Sequence, residues 1–312
     1  RTWPSSDAGL RHGIVGAHVL IAVLAVTVML AGLTAEVWRR WALRRGVLDQ
    51  PGSRSSHVVP TPRGGGIGIV LGVLAGLALL MPASPERHAA MLAIALVAVV
   101  GLIDDLRPLP PFVKLAGQAT AAFPLALAMP WPLLPSPLLP GVELPPFAEA
   151  GLSSALAFAF ALLAVNAWNF MDGINGIATV AAMAVGIVAL LVPGAGAADP
   201  LAWALVAACL GFLPLNFPRA RVFMGDCGSH ALGMAVAALI LFTSSLAHDR
   251  PSLMTTAALA AASPFLIDVL GTLVRRALDG ERLTEAHRRH LYQVATQSGY
   301  SHAIVTSAYG AW

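Results

Sequence analysis

Two adjacent carboxylates and a stripe of polar residues stand out, because such groups bind metal ions and phosphates. Asp104 and Asp105 close an apolar run, and Asn166, Asn169 and Asp172 follow one another at intervals of three. Adjacent helical residues point about 100° apart, so the two aspartates are expected to do different work. A carboxylate opposes the dipole at a helix end, which argues against a simple cap. Residues three apart lie along one helix stripe, so the second group is expected to face one ligand.

Two further motifs add a carboxylate, an aromatic ring and a basic cluster. Asp226 precedes an apolar run, where its carboxylate could alternatively cap a helix. Phe223 could pack in the interior or offer a surface on which a base stacks. His287, Arg288 and His290 combine imidazoles with a guanidinium, a set that suits an anionic substrate better than a metal ion.

A basic, glycine-rich segment precedes another apolar run. Arg54, His57 and Arg63 lead into Gly64–Gly66. No βαβ unit follows, so these glycines are not a dinucleotide-binding fingerprint. We expect Arg54 to contact an anionic substrate, while the glycines could alternatively permit tight helix packing.

If the carboxylates of these motifs share a site, each one affects the ionisation of the others. Asp104, Asp105, Asp172 and Asp226 would each raise the pKa of the others unless a cation lay among them. Carboxylate and amide oxygens suit Mg²⁺ or Mn²⁺, hard ions that also bridge phosphates. The arginines suit the phosphates themselves. The residue types therefore predict phosphoryl transfer at a divalent metal.

The elements that carry these motifs are those of a membrane protein. Charged residues make up only 11% of the chain and hydrophobic residues 57%, and the mean hydropathy is +0.74. A soluble domain has about a quarter charged residues, and a bilayer-spanning helix needs about 20 apolar ones. Apolar stretches of roughly that length occur at residues 13–37, 64–82, 88–104, 112–130, 150–167, 173–194, 198–216, 228–246 and 253–275.

The predicted fold is an all-α polytopic integral membrane protein forming a single domain over residues 1–312. The tail 301–312 is typical of the start of another helix, so about ten transmembrane helices are expected, the last incomplete.

Basic residues set the predicted orientation of these helices. Lys and Arg concentrate in cytoplasmic loops, and 15 of the 19 fall on one side when the loops are assigned alternately. The N-terminus is therefore predicted to be extracytoplasmic. All the polar motifs fall on the cytoplasmic side, which predicts one composite active site. Its loops lie near residues 38–63, 104–114, 166–175, 217–228 and 274–300.

Asp268 lies inside the last long apolar stretch. A charge at mid-membrane costs about 2.5–3.5 kcal/mol on insertion scales, so its side chain should face the bundle interior. Two interpretations stay open. Asp268 lines the site or its lipid entrance, or it pairs structurally with Asn216 or an arginine.

The motifs, taken in order from residue 49 to residue 293, resemble one known family. They are PTPRGGG, IDDL, NAWNFMDGINGIA, RVFMGDCGS and EAHRRHLYQ, and the family is the polyprenyl-phosphate N-acetylhexosamine-1-phosphate transferases, glycosyltransferase family 4. The combination of RSSH, PTPRGGG and EAHRRHLYQ is most similar to the bacterial O-antigen-initiating branch. The peptidoglycan branch has consecutive histidines, whereas two arginines separate His287 from His290, which argues against a muramoyl-pentapeptide substrate.

The resemblance implies a reaction, its partners and a location. UDP-N-acetylhexosamine and undecaprenyl phosphate would give undecaprenyl-diphospho-sugar and UMP, with Mg²⁺ or Mn²⁺ as cofactor. The protein would lie in the bacterial inner membrane with its active site on the cytoplasmic face, and no nucleic-acid partner is expected. The family also suggests a homodimer.

The resemblance further implies a role for each motif residue. Asp226 and Asp172 would bind the metal, and Asp104 and Asp105 would deprotonate or position the lipid phosphate. A set of residues that again includes Asp172 would hold the nucleotide and sugar, with Phe223 stacked on uracil. They are Asn166, Asn169, Asp172, Phe223, His287, Arg288, His290 and Arg54.

Several alternatives stay open at this point. The lipid phosphate could attack the sugar nucleotide directly, or the reaction could pass through a phospho-aspartate. An ion-coupled transporter also uses buried carboxylates, but near the bilayer midplane and often in repeated halves. A membrane subunit without chemistry would leave the clustering of the motifs unexplained.

Overall fold

The computed structural model describes residues 6–52, 57–131, 145–191, 199–246, 251–282 and 287–312. This part of the chain is almost entirely helical. Its helices are α1 (Ser6–Arg45), α2 (Ile67–Leu80), α3 (Pro85–Leu106), α4 (Pro111–Ala128), α5 (Pro146–Met171), α6 (Ile177–Leu191), α7 (Asp199–Asn216), α8 (Gly225–Leu246), α9 (Pro251–Leu278), α10 (Leu291–Gln297) and α11 (His302–Gly310). Two strands, β1 (Leu48–Asp49) and β2 (Thr61–Pro62), form a short antiparallel pair.

The nine predicted apolar stretches coincide with helices α1 to α9, which confirms a helical, multi-pass membrane protein. Within the described residues, α1, α3, α5, α7, α8 and α9 are long and apolar enough to cross a membrane. Helices α2 and α6 are apolar but shorter. The tail forms α11, whose nine residues extend about 14 Å at 1.5 Å per residue. The count of about ten spans and the outward N-terminus stay predictions.

Helix α8 forms the centre of the bundle and is buried along its apolar length. Helices α3, α5, α6 and α9 pack around it. Two glycines allow this close packing, because a Cβ at Gly101 would lie 2.3 Å from the carbonyl oxygen of Asp226. A Cβ at Gly66 would lie 2.2 Å from the Cα of Gly228. The alternative that the glycine run serves tight packing is therefore right for Gly66.

The glycine-rich segment is joined to the start of α8 by backbone hydrogen bonds. The N–H of Phe223 donates to the carbonyl of Pro62 at 2.8 Å. The N–H groups of Gly65 and Gly66 donate to the carbonyls of Phe223 and Met224, both at 2.9 Å. Two motifs that are about 160 residues apart in the chain thus lie side by side at one end of the bundle.

Candidate active site

The carboxylate of Asp105 binds the start of α8. Its Oδ1 accepts a hydrogen bond from the N–H of Asp226 at 3.0 Å, and its Oδ2 accepts one from Cys227 at 3.1 Å. These are among the first four N–H groups of a helix, which have no partner inside it. A negative charge is favourable there, and Asp105 is only 3% exposed. A carboxylate that opposes the dipole of its own helix therefore stabilises the start of another.

Asp104 faces another way and interacts with Lys114. Its Oδ1 accepts a hydrogen bond from the N–H of Leu109 at 2.7 Å, and its Oδ2 lies 3.3 Å from Lys114 Nζ. The same Nζ lies 3.2 Å from Asp226 Oδ2. Lys114 thus bridges carboxylates of α3 and α8. Asp104 and Asp105 thus have different partners, as expected for adjacent helical residues, and their roles in the reaction stay a prediction.

The asparagine stripe of α5 divides between the site and the bundle interior. Asn169 Nδ2 donates to Asp226 Oδ1 and to Ser229 Oγ, both at 3.0 Å. Asn166 Nδ2, about one turn further inside, donates to Gln118 Oε1 at 2.9 Å. Asn169 therefore orients the carboxylate of Asp226, whereas Asn166 contacts a neighbouring helix.

A cavity of about 330 Å³ opens at this end of the bundle. Carboxylates, amides, rings and cations from widely separated segments line it. They include Asp49, His57, Arg63, Asp105, Asn169, Asp172, Asn175, Phe223, Asp226, Arg288, Gln293, Thr296, Gln297 and His302. The rings of His57 and Phe223 meet edge to face at 4.9 Å. The cavity therefore offers an aromatic wall, two arginines and a group of carboxylates to one ligand.

Asp172 follows α5 and faces this cavity. Burial, and then the negative charges of Asp226 and Asp105, raise the pKa of Asp172 to about 8. Such a carboxyl group ionises readily at neutral pH only beside a cation. A shared divalent cation among these carboxylates stays a prediction.

A divalent ion fits this donor set if a ligand supplies part of its coordination. No three His, Cys, Asp or Glu side chains of the described residues converge closely enough to hold a metal by themselves. Mg²⁺ usually takes one or two carboxylates and completes its octahedron with water and substrate phosphates. Asp172 and Asp226 match that pattern, with Asn169 beside them. The residues suit a metal that binds together with a diphosphate.

The basic motif contributes one of its predicted residues to the cavity. Arg288 lines it, whereas His290 is buried behind the wall and His287 packs against His290 at 4.8 Å between ring centroids. Burial and the charge of Arg276 lower the pKa of His287 to about 4, so this ring is uncharged at neutral pH. A neutral imidazole carries no positive charge, so it suits the predicted role of binding a diphosphate poorly. Arg54 lies outside the described residues, and its contact stays a prediction.

Asp268 does not take its predicted place in the cavity wall, and a place at the lipid entrance stays a prediction. It does not line the cavity among the residues described, and Asn216 is occupied elsewhere by the N–H of Gly176 at 2.7 Å. The carboxylate of Asp268 instead accepts hydrogen bonds from the N–H of Leu291 and the hydroxyl of Tyr309, both at 2.9 Å. The predicted pairing with Asn216 or an arginine is therefore wrong.

Lys114 is the site residue that sequence reasoning missed, since it was counted only as a loop cation. The signal was present, because Lys114 is the only lysine in a chain whose other 18 basic residues are arginines. The cavity residues Gln293, Thr296, Gln297 and His302 gave no such signal. Their side chains are common on any helix surface, and only the packing of α10 and α11 brings them to the cavity.

Comparison with known proteins identifies the family of the chain. The sequence model of glycosyl transferase family 4 matches residues 88–244, half of the chain. A decaprenyl-phosphate N-acetylglucosaminephosphotransferase of Mycobacterium tuberculosis is 34% identical, over 99% of this chain and 86% of the relative. A probable undecaprenyl-phosphate N-acetylglucosaminyl 1-phosphate transferase of Bacillus subtilis is 26% identical, over 91% and 79%. A phospho-N-acetylmuramoyl-pentapeptide-transferase of Moorella thermoacetica is 33% identical, over 72% and 74%.

The fold and the site define the class of protein. It is a multi-pass helical membrane protein whose carboxylates, amides and one lysine lie together at one end of the bundle. The chain belongs to glycosyl transferase family 4, which confirms the family predicted from the motifs. It is a phosphoglycosyl transferase by family. The O-antigen branch stays a prediction.

Proposed function

We propose that the protein transfers N-acetylhexosamine 1-phosphate from a UDP-linked donor to undecaprenyl phosphate. An oxygen of the lipid phosphate attacks the β-phosphorus of the donor, and the bond from that phosphorus to the oxygen bridging to UMP breaks. The products are undecaprenyl-diphospho-N-acetylhexosamine and UMP. The observation that carries the proposal is the convergence of Asp172, Asn169 and Asp226 on one cavity that Arg288 also lines.

The donor would occupy this cavity. Phe223 would stack on the uracil, since a base and an aromatic ring attract each other without regard to sequence. Arg63 and Arg288 would pair with the diphosphate, because guanidinium groups bind phosphate oxygens in a two-pronged geometry. N-acetylglucosamine is our first choice of sugar, because the relatives from Mycobacterium tuberculosis and Bacillus subtilis carry it in their names.

The acceptor would arrive from the bilayer along the start of α4. Lys114 there faces Asp104 and Asp226, while Phe112 is 73% exposed on the apolar surface of the same helix. Lys114 would hold the lipid phosphate electrostatically, and the apolar surface beside it suits the polyprenyl chain. We place the reaction on the cytoplasmic face of the bacterial inner membrane, where the donor is made. Its product would start an O-antigen or related surface polysaccharide.

Asp172 and Asp226 would hold Mg²⁺, with Asn169 orienting Asp226. When bound, the ion would neutralise the diphosphate and polarise the phosphoryl group. A direct displacement is the route we favour. Both oxygens of Asp105 already accept backbone hydrogen bonds, so this carboxylate is a poor nucleophile for a phospho-enzyme route.

The proposal is tested with purified full-length chain, undecaprenyl phosphate and labelled UDP-N-acetylglucosamine, with Mg²⁺ or with EDTA. Decaprenyl phosphate and other UDP-N-acetylhexosamines run in parallel. Lipid-linked product that requires both the polyprenyl phosphate and the metal supports the proposal. No lipid product with any donor and acceptor contradicts it, and substrate uptake by sealed vesicles would then favour the transporter.

A further inference from the structure

We propose that Asp268 is a positioning residue for the transfer reaction, which holds the segment 287–309 so that its side chains form the donor-facing wall of the cavity. The effect on the donor rests on the proposed function, whereas the hold on the segment rests on the contacts alone.

The carboxylate of Asp268 is 1% exposed and lies within α9. Its Oδ1 accepts a hydrogen bond from the N–H of Leu291 at 2.9 Å and one from Thr272 Oγ1 at 3.2 Å. The same oxygen lies 3.2 Å from Nδ1 of His290, which is itself buried. One oxygen thus joins α9 to the residues that begin α10.

The second oxygen reaches further. Oδ2 accepts a hydrogen bond from the hydroxyl of Tyr309 at 2.9 Å and a longer one from the N–H of Tyr292 at 3.4 Å. Tyr309 belongs to α11, and its ring also packs edge to face on Phe265 of α9 at 5.9 Å. A single buried carboxylate therefore connects three helices.

Helix α10 depends on such contacts because it has only seven residues. Isolated helices shorter than about 12–15 residues are marginal in water. Yet this segment supplies a large part of the cavity wall. The lining residues of segment 287–309 are Arg288, Gln293, Thr296, Gln297 and His302, the first residue of α11. Whatever fixes α10 therefore fixes the groups that face the donor.

The substitution Asp268→Asn keeps the size of the side chain and replaces one acceptor oxygen with an NH₂ group. Since all the groups around Asp268 in these contacts can donate, the NH₂ group would leave at least one of them without a partner. The effect should be confined to the donor side. Asp104 and Lys114, which we assign to the acceptor, lie on α3 and α4 and make no contact with Asp268 among the hydrogen bonds described.

The test compares full-length wild type, Asp268→Asn and Tyr309→Phe, with Asp199→Asn as the matched control. Asp199 begins α7, and about 25 Å of helix separates it from the cavity at 1.5 Å per residue. Two quantities are measured for each protein. They are the KM values for donor and acceptor, and the hydrogen–deuterium exchange rate of peptides covering 287–297.

We expect Asp268→Asn to raise the donor KM about tenfold or more, the size of effect that outer-shell residues commonly have. The acceptor KM should stay within about twofold, and exchange over 287–297 should be faster. Tyr309→Phe should do the same to a smaller extent, and Asp199→Asn should match the wild type. If Asp268→Asn does not fold, Tyr309→Phe decides by the same criteria.

A folded Asp268→Asn protein with wild-type donor KM and wild-type exchange would overturn the proposal. So would an equal rise of both KM values, which is the mark of a merely structural role. Failure of the wild type to transfer any sugar would contradict the proposed function alone. The exchange of 287–297 would then still decide whether Asp268 holds this segment.

Discussion

The Oδ1 atom of Asp105 lies 3.0 Å from the backbone nitrogen of Asp226, and this contact joins the end of α3 to the start of α8. The carboxylate of Asp226 is thereby presented to the cavity, where Asn169 and Lys114 contact its two oxygens. The two aspartates have complementary tasks. Asp105 fixes the start of α8, and we propose that Asp226 binds the metal.

Replacing Asp105 with alanine should cost stability. The N–H groups of Asp226 and Cys227 would lose their partner in a buried place, at about 1–3 kcal/mol for each. Thermal unfolding in detergent measures the loss. The matched variant is Asp104→Asn, which keeps an oxygen for the N–H of Leu109 and should unfold near the wild-type temperature while losing transfer. Wild-type unfolding of Asp105→Ala would contradict this assignment.

Replacing Lys114 with methionine should slow the transfer about 100-fold, the effect expected when one preorganised charge at a phosphoryl-transfer site is lost. The length of the side chain is kept, but Asp104 and Asp226 lose the cation between them. Steady-state transfer rates measure the change. The control is Arg107→Met, which removes an exposed cation from the turn between α3 and α4. Equal rates for the two variants would show that Lys114 acts only as loop charge.

Replacing Gly225 with alanine should damage both folding and activity. Gly225 has a φ of +70°, and a Cβ there would lie 2.4 Å from Asp105 Oδ2. Gly271→Ala is the matched control, because nothing lies within 4 Å of a Cβ at that exposed helical position. Yield of folded protein and transfer rate should fall for the first variant only. A normal Gly225→Ala protein would mean that Asp105 does not hold α8 as described.

Replacing Phe223 with alanine should raise the donor KM about tenfold, because stacking on a base is worth about 1–3 kcal/mol. Phe223→Tyr should keep most of the affinity, since the ring remains. Phe147→Ala removes an exposed ring outside the cavity and should leave the donor KM unchanged. Initial rates over a range of UDP-sugar concentrations give the comparison. A donor KM that does not change in Phe223→Ala would show that the uracil does not stack on Phe223.

The helices and the grouping of Asp104, Asp105 and Asp226 were predictable from sequence, because apolar length and alternate loops decide them. From sequence, it was predictable only that the side chains of Asp104 and Asp105 point in different directions. Which of the two would cap a helix 120 residues away depends on how α3 packs against α8. Asp268 was misassigned for the same reason.

Sequence reasoning also erred on the basic motif, and the cause is physical. His290 looked like a substrate ligand because its motif combines two imidazoles with guanidinium groups, a set that suits an anion. Its ring is buried because Asp268 of α9 accepts from the segment that His290 begins. Asp268 lies 22 residues from His290, so no local sequence pattern predicts the contact.

The nucleotide released during turnover tests the central claim most directly. Purified protein is incubated with the UDP-sugar, polyprenyl phosphate and Mg²⁺, and UMP, UDP and lipid-linked product are quantified together. The account predicts UMP and lipid product in equal amounts, and neither product from Asp226→Asn. Release of UDP would mean that the sugar is transferred without its phosphate. That result, or undiminished turnover by Asp226→Asn, would contradict the account.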